Sequence, residues 1–209
     1  MSSVSRMADR LRQLWDFDDL PATEARLREQ LDSERSDVGR AEVLTQLARI
    51  KSLTDDFDGC ESLLQEAEPL AGDGVARVRI DLERGRKLRS SGDGAAAGPI
   101  FERAFARACE LGEHWLAGDA AHMVAISEGG KTVEWTERGL ALADSEPDAA
   151  YWAGPLLNNL GWHYYEAGDY AQALDVFERA LEVRKRDPDN PQAIVWAQEA
   201  IDETRKALG

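Results

Sequence analysis

Residues 157–181 read LNNLGWHYYEAGDYAQALDVFERAL. Leu157, Leu160, Gly161, Tyr164, Ala173, Phe177 and Leu181 fall at the i, i+3, i+4 and i+7 intervals that gather side chains on one face of a helix. Gly168-Asp169 interrupts the pattern, so the stretch predicts two helices, the first ended by glycine and the second opened at Tyr170. Asn158, Trp162 and Tyr165 share a different face of the first helix. The packed face speaks for the fold, and the second face is the candidate for function.

The same plan recurs upstream. TDDFDGCESLLQEA (54–67), SGDGAAAGPIFERA (91–104) and EGGKTVEWTERGLALA (128–143) each set a polar turn before a short amphipathic helix, as does AGDYAQALDVFERA (167–180). Another helical pattern precedes each turn, at about 37–54, 74–90, 113–127 and 149–166. The turns return roughly every 37 to 39 residues, an interval typical of stacked helix pairs. No sustained period-two alternation of β-branched residues marks a strand.

Composition bounds the function. The chain has 209 residues, 43% of them hydrophobic and 31% charged, so it can bury a core. A formal net charge of −15 disfavours nucleic acid, whose capture depends on Lys and Arg displacing counterions. No segment approaches the roughly 20 apolar residues that cross a bilayer, and MSSVSRMADRLRQLWDF lacks the apolar core of a signal peptide. Two cysteines, Cys60 and Cys109, do not make a disulfide scaffold and fit a reducing cytoplasm. A preference for Arg, Ala and Gly hints at a GC-rich bacterial genome.

The stretch 157–181 resembles the tetratricopeptide repeat, W-x2-L-G-x2-Y…A-x3-F. Leu157 stands in the Trp slot, followed by Leu160, Gly161, Tyr164, Ala173 and Phe177. The likeness is weaker upstream, where 44–67 keeps Leu47, Ala48, Phe57, Leu64 and Ala67. The 84–104 unit keeps Gly85, Leu88, Gly92, Ala97, Phe101 and Ala104, while the 116–140 unit is degenerate in register. With its AAHMVAI segment, the chain is similar to bacterial tetratricopeptide-repeat proteins, a resemblance that supplies no activity. The usual closing proline is displaced to Pro188 and Pro191, which predicts second helices a turn longer.

The expected fold is therefore all-α, an α-α superhelix of about five helix pairs with a C-terminal capping helix. One domain is expected over 1–209: an opening helix pair within 1–35, four repeat units over 36–186 and a cap over 190–209. Residues 4–15 and 21–32 form the opening pair, with Pro21 starting its second helix. Asn190 caps the last helix, and Ile194, Ala197, Ile201 and Leu208 form its buried stripe.

The resemblance implies that the first helices line a concave groove that binds a peptide or protein segment. Transferring the Asn158, Trp162, Tyr165 stripe to the earlier units picks out Thr45, Arg49 and Ser52, then Arg79, Leu82, Arg86 and Arg89, then His122 and Ala125. The candidate site is thus Arg49, Arg79, Arg86, Arg89, His122, Asn158, Trp162 and Tyr165. Guanidinium groups suit a carboxylate or an acidic segment, although Trp162 stands where carboxylate clamps of this family carry Asn. The competing reading is that these arginines pair internally with Asp81, Glu83 or Glu42, at about 0–1 kcal/mol for surface pairs. Trp196 is a packing neighbour for Trp162, and Trp15, Trp115, Trp135 and Trp152 read as core. Arg84 takes the slot in which Leu160 packs, so it either reaches an acid such as Asp81 or lies out of register.

Catalytic chemistry is not expected. His114, His122 and His163 are not at metal-site spacing, and EGGKT lacks the upstream glycine and strand of a phosphate loop. Cys60 sits in a small-residue slot and predicts an inert thiol. The expectation is a non-enzymatic cytoplasmic adaptor without cofactor or metal. The alternatives are a small-molecule or signal-peptide sensor and a self-associating structural protein.

Overall fold

A computed structural model describes residues 10–186 and 190–209. All regular structure among them is helical: α1 (Leu20–Ser33), α2 (Asp37–Leu53), α3 (Phe57–Ala67), α4 (Val75–Ser90), α5 (Gly94–Leu111), α6 (His114–Ser127), α7 (Thr132–Ser145), α8 (Ala153–Glu166), α9 (Tyr170–Arg184) and α10 (Pro191–Leu208). The helices form two compact units, Met1–Ala120 and Ala121–Gly209, divided within α6. Each unit is an array of α-hairpins, the α-α solenoid type that the recurring turns predict.

The turns explain why these helices start and stop where they do. After α8, the amide of Asp169 donates to the carbonyl of Tyr164 at 2.9 Å, closing the helix end. The carboxylate of the same Asp169 then accepts from Gln172 N at 3.2 Å and caps α9. One residue thus ends one helix and begins the next. Asp56 and Asp93 do the same, donating to Lys51 O and Leu88 O and accepting from Gly59 N and Ala96 N. The intervening residue must be left-handed, and Gly92 and Gly168 supply that conformation at φ 94° and 78°. Asp55 takes it at φ 60° without being glycine. EGGKT departs from the plan: a short 3₁₀ turn, Gly129–Lys131, leads into α7 without a side-chain cap. That missing cap is why the third unit looks degenerate.

In unit 1, α2 packs against α1, α3 and α4, and α4 pairs with α5. Ala41, Leu44, Ala48, Cys60, Leu64, Ala67, Ala76 and Ile80 make one core, and Leu11, Leu27, Val43, Leu47 and Ile50 a second. In unit 2, α8 packs on α7 and α9, and α10 on α9. Leu157, Leu160, Val176 and Ala180 close the α8–α9 seam, while Phe177, Leu181, Ala197, Ala200 and Ile201 hold α10. A Cβ at Gly161 would run into the Phe177 ring, and one at Gly85 would run into Phe101. The two hairpins use the same device.

Several expectations are corrected. Residues 4–9 and Pro188 lie outside the described residues, and 10–15 form a turn and a 3₁₀ segment, Arg12–Leu14, rather than a helix. The helix expected over 149–166 begins at Ala153, after a 3₁₀ turn at Pro147–Trp152. Asn190 does cap α10, through Ala193 N at 3.1 Å. Leu208 is exposed, however, because the buried stripe of α10 runs through Ala193, Ala197, Ala200, Ile201 and Thr204. No helix among the described residues is long and apolar enough to cross a membrane.

Gly161→Ala lowers stability by about 1–3 kcal/mol despite alanine's better helix propensity, read by urea unfolding. The cost shrinks in a Phe177→Leu background, which makes room for the added methyl. Burial pushes the Cys60 thiol up from its ordinary 9.0 to about 12, with Glu83 adding to the effect. Because the folded value is raised, this contribution to stability is complete below pH 9 and is lost as pH climbs towards 12. Cys60→Ala should flatten the alkaline arm of the stability profile. At pH 8 a maleimide should label exposed Cys109 and spare Cys60 until the protein unfolds.

Candidate functional site

The candidate residues lie on first helices, and each unit shows what holds them. In unit 1, the Glu42 carboxylate of α2 accepts from Arg79 Nε of α4 at 3.2 Å and from Arg10 Nε at 3.3 Å. One end of Arg86 donates to Glu83 at 2.6 Å and the other to both oxygens of Asp119 on α6 at 2.5 Å. Glu83 also meets Arg49 of α2 at 3.5 Å. These are bonds between successive first helices, 37, 34 and 33 residues apart for Glu42–Arg79, Arg49–Glu83 and Arg86–Asp119. Burial opposes the charge of Arg86, but Asp119 and Glu83 outweigh it and hold the guanidinium above its usual value. Arg49 is pushed below its usual value by burial and by Arg86. Its guanidinium lies 5.7 Å and 5.9 Å from the ring centres of Trp15 and Phe17, which stack on each other at 4.9 Å.

In unit 2 the corresponding bonds are neutral or weakly charged. His122 Nε2 lies 2.8 Å from the Asn159 amide nitrogen, 37 residues on. In this orientation the amide nitrogen donates and Nε2 accepts. Trp152 lies against the same imidazole, with ring centres 5.4 Å apart. Further along α8, Trp162 meets Phe177 edge-on at 5.1 Å and Tyr165 at 5.3 Å. Tyr165 contacts Tyr170 at 5.2 Å and donates its hydroxyl to Glu203 of α10 at 3.3 Å, 38 residues on. Desolvation and the Glu203 carboxylate raise the Tyr165 phenol above its ordinary value.

The candidate residues therefore differ in what they offer. Arg79 is buried, and Arg86 is nearly so, each engaged by the unit's own acids. Arg49 keeps a quarter of its side chain exposed, and Arg89 is exposed. His122, Asn158, Trp162 and Tyr165 are half-buried. Thr45, Ser52, Leu82 and Ala125, expected on the wall, are buried instead. Arg84 reaches Glu68 at 2.9 Å and Glu61 at 3.0 Å, not Asp81, which is taken by both arms of Arg103. Burial raises the Glu61 carboxyl, but Lys87 and Arg84 overcome it and leave it below the usual range. Trp196 does not cover Trp162 as a core residue would, since 58% of it is exposed.

Asp119, Asn159, Tyr170 and Glu203 were not picked out by sequence reasoning. The repeat interval was the usable signal, because adding 37 or 38 to His122 and Tyr165 lands on Asn159 and Glu203. Among the described residues no group of three or more His, Cys, Asp or Glu side chains could hold a metal ion.

Removing one partner from a buried, paired cluster strands the others. Arg86→Ala should therefore lower stability by about 3–5 kcal/mol, whereas Arg89→Ala on the same helix should stay within about 0.5 kcal/mol. Denaturant unfolding of the two variants makes the comparison.

No curated protein matches the chain. The family model for the tetratricopeptide repeat matches residues 131–186, the segment running from the start of α7 through α8 and α9. Its match coincides with the Gly161–Phe177 seat and the Asp169 double cap. Over residues 131–186, this chain is similar to the tetratricopeptide repeat.

Proposed function

We propose that the chain is a non-enzymatic adaptor that holds a peptide or protein segment against the first-helix stripe. A tetratricopeptide-type array is a binding scaffold, and its packed faces leave one stripe of each first helix for other work. The observation that carries the proposal is the state of Trp162 and Tyr165. Both are only half-buried and both are held by neighbouring rings, packed against the Phe177 and Ile201 core on one side and open on the other. Rigid aromatic groups at a surface give large contact area at small entropic cost, the usual makings of an interface hot spot.

Of the candidate residues, Asn158, Trp162, Tyr165 and Arg89 carry this proposal directly. Arg49, with Trp15 and Phe17, offers a second aromatic and cationic patch in unit 1. Arg79, Arg86 and His122 support it by fixing successive first helices. A carboxylate or acidic segment would have to compete with Glu42, Glu83 and Asp119 for most of the guanidiniums. The adaptor works in the cytoplasm, without nucleic acid, membrane or cofactor as partner.

The test is a peptide array probed with the wild-type protein and with an Asn158→Ala, Trp162→Phe variant. Phenylalanine keeps apolar contact with Phe177, so circular dichroism should be unchanged. Loss of most of the array signal is expected. An identical pattern from both proteins would remove the stripe from consideration.

A further inference from the structure

We infer that the α8–α10 face of unit 2 receives a basic segment, a stretch of peptide carrying Arg or Lys side chains. This rests on the adaptor reading above and names the chemistry of its partner. The starting point is register. Tyr165 bonds to Glu203 38 residues later, and His122 bonds to Asn159 37 residues later in the same unit. By this interval α10 stands where the first helix of a further repeat would stand, and it is more than a lid over α9. Helical spacing then puts Gln192, Trp196, Glu199 and Glu203 on one flank of α10, at i, i+4, i+7 and i+11. They continue the stripe of Asn158, Trp162 and Tyr165.

The chemistry of that flank is predominantly acidic. Trp196 is 58% exposed, and Glu199, Glu203 and Glu166 are exposed. No Lys or Arg occurs in α8. On α10, Arg205 lies on another flank and is held by Glu178 of α9 at 2.8 Å. Lys206, one turn beyond Glu203, is exposed at the C-terminal end of the same flank. Indole and phenol faces attract guanidinium and ammonium groups, and carboxylates beside them accept their hydrogen bonds. An acidic segment would instead meet Glu199 and Glu203 with like charge. Unit 1 differs, because Glu42, Glu83 and Asp119 are matched by Arg79, Arg49 and Arg86 and leave no comparable excess of acid.

The experiment measures fluorescence anisotropy of three labelled Gly/Ser peptides, bearing Arg and Lys, Glu and Asp, or no charge, against the full chain. The basic peptide is expected to bind. Trp196→Ala should weaken it about fivefold, the scale of one lost cation–π contact, and Glu203→Gln should weaken it as well. Glu137→Gln, which removes the same charge from the exposed face of α7, should leave it unchanged. Both α10 substitutions lie on exposed positions, so folding is preserved. If Glu203→Gln and Glu137→Gln weaken binding alike while Trp196→Ala does nothing, only bulk charge is at work and the inference falls. If the acidic peptide binds instead and Asn158→Ala, Trp162→Phe abolishes it, the inference falls while the adaptor reading survives. If no peptide binds, both fall. Should light scattering then show a dimer that Trp196→Ala dissociates, the occupant of this face is a second copy of the chain.

Discussion

Two helices approach most closely where one of them has no side chain in the way. Gly161 in α8 and Gly85 in α4 meet that constraint by the same means. Each presents bare backbone to the ring of a phenylalanine in the following helix, Phe177 and Phe101. Both rings are fully buried. The depth of that seat fixes how far the second helix lies from the first. Through the seat, the turn between them must be short. Asp93 and Asp169 then end one helix and begin the next within a single residue.

Once the hairpins are set, side chains of the candidate stripe tie successive first helices together. The two units treat that stripe differently. Unit 1 fills it with charge and neutralises it internally, so that Arg79 and Arg86 serve as ties between helices. A buried ion pair of this kind adds little net stability over an apolar one, but breaking it is costly. Unit 2 uses neutral and aromatic groups in the same positions, with an amide–imidazole bond and a phenol–carboxylate bond as ties. Those groups keep partial exposure. The ties between successive first helices thus differ in kind, ion pairs in unit 1 and amide, imidazole and phenol groups in unit 2.

Much of the architecture was legible in the sequence because it depends on local rules. Gly168 and Gly92 mark left-handed turns, Asp residues mark caps, and the interval of Leu160, Tyr164 and Phe177 marks a buried face. The third unit was hard to read for an equally local reason: EGGKT replaces the capping turn with a 3₁₀ segment. Over the candidate site the sequence was less informative. Arg79, Arg86 and Arg89 look alike at helical spacing, yet the first two are held by acids and the third is exposed. Trp196 reads as a packing residue until the register of α10 places it on an outer flank.

By itself the sequence determined the helices, their pairing and the interval at which they recur. Capping, turn geometry and amphipathic period act over a few residues and leave their mark in order along the chain. Only the tertiary structure decided which charges are spent and which are available. An arginine's partner lies on another helix more than thirty residues away, and burial follows from what packs beside it. Those are properties of residues brought together by folding, and no single stretch of the chain records them.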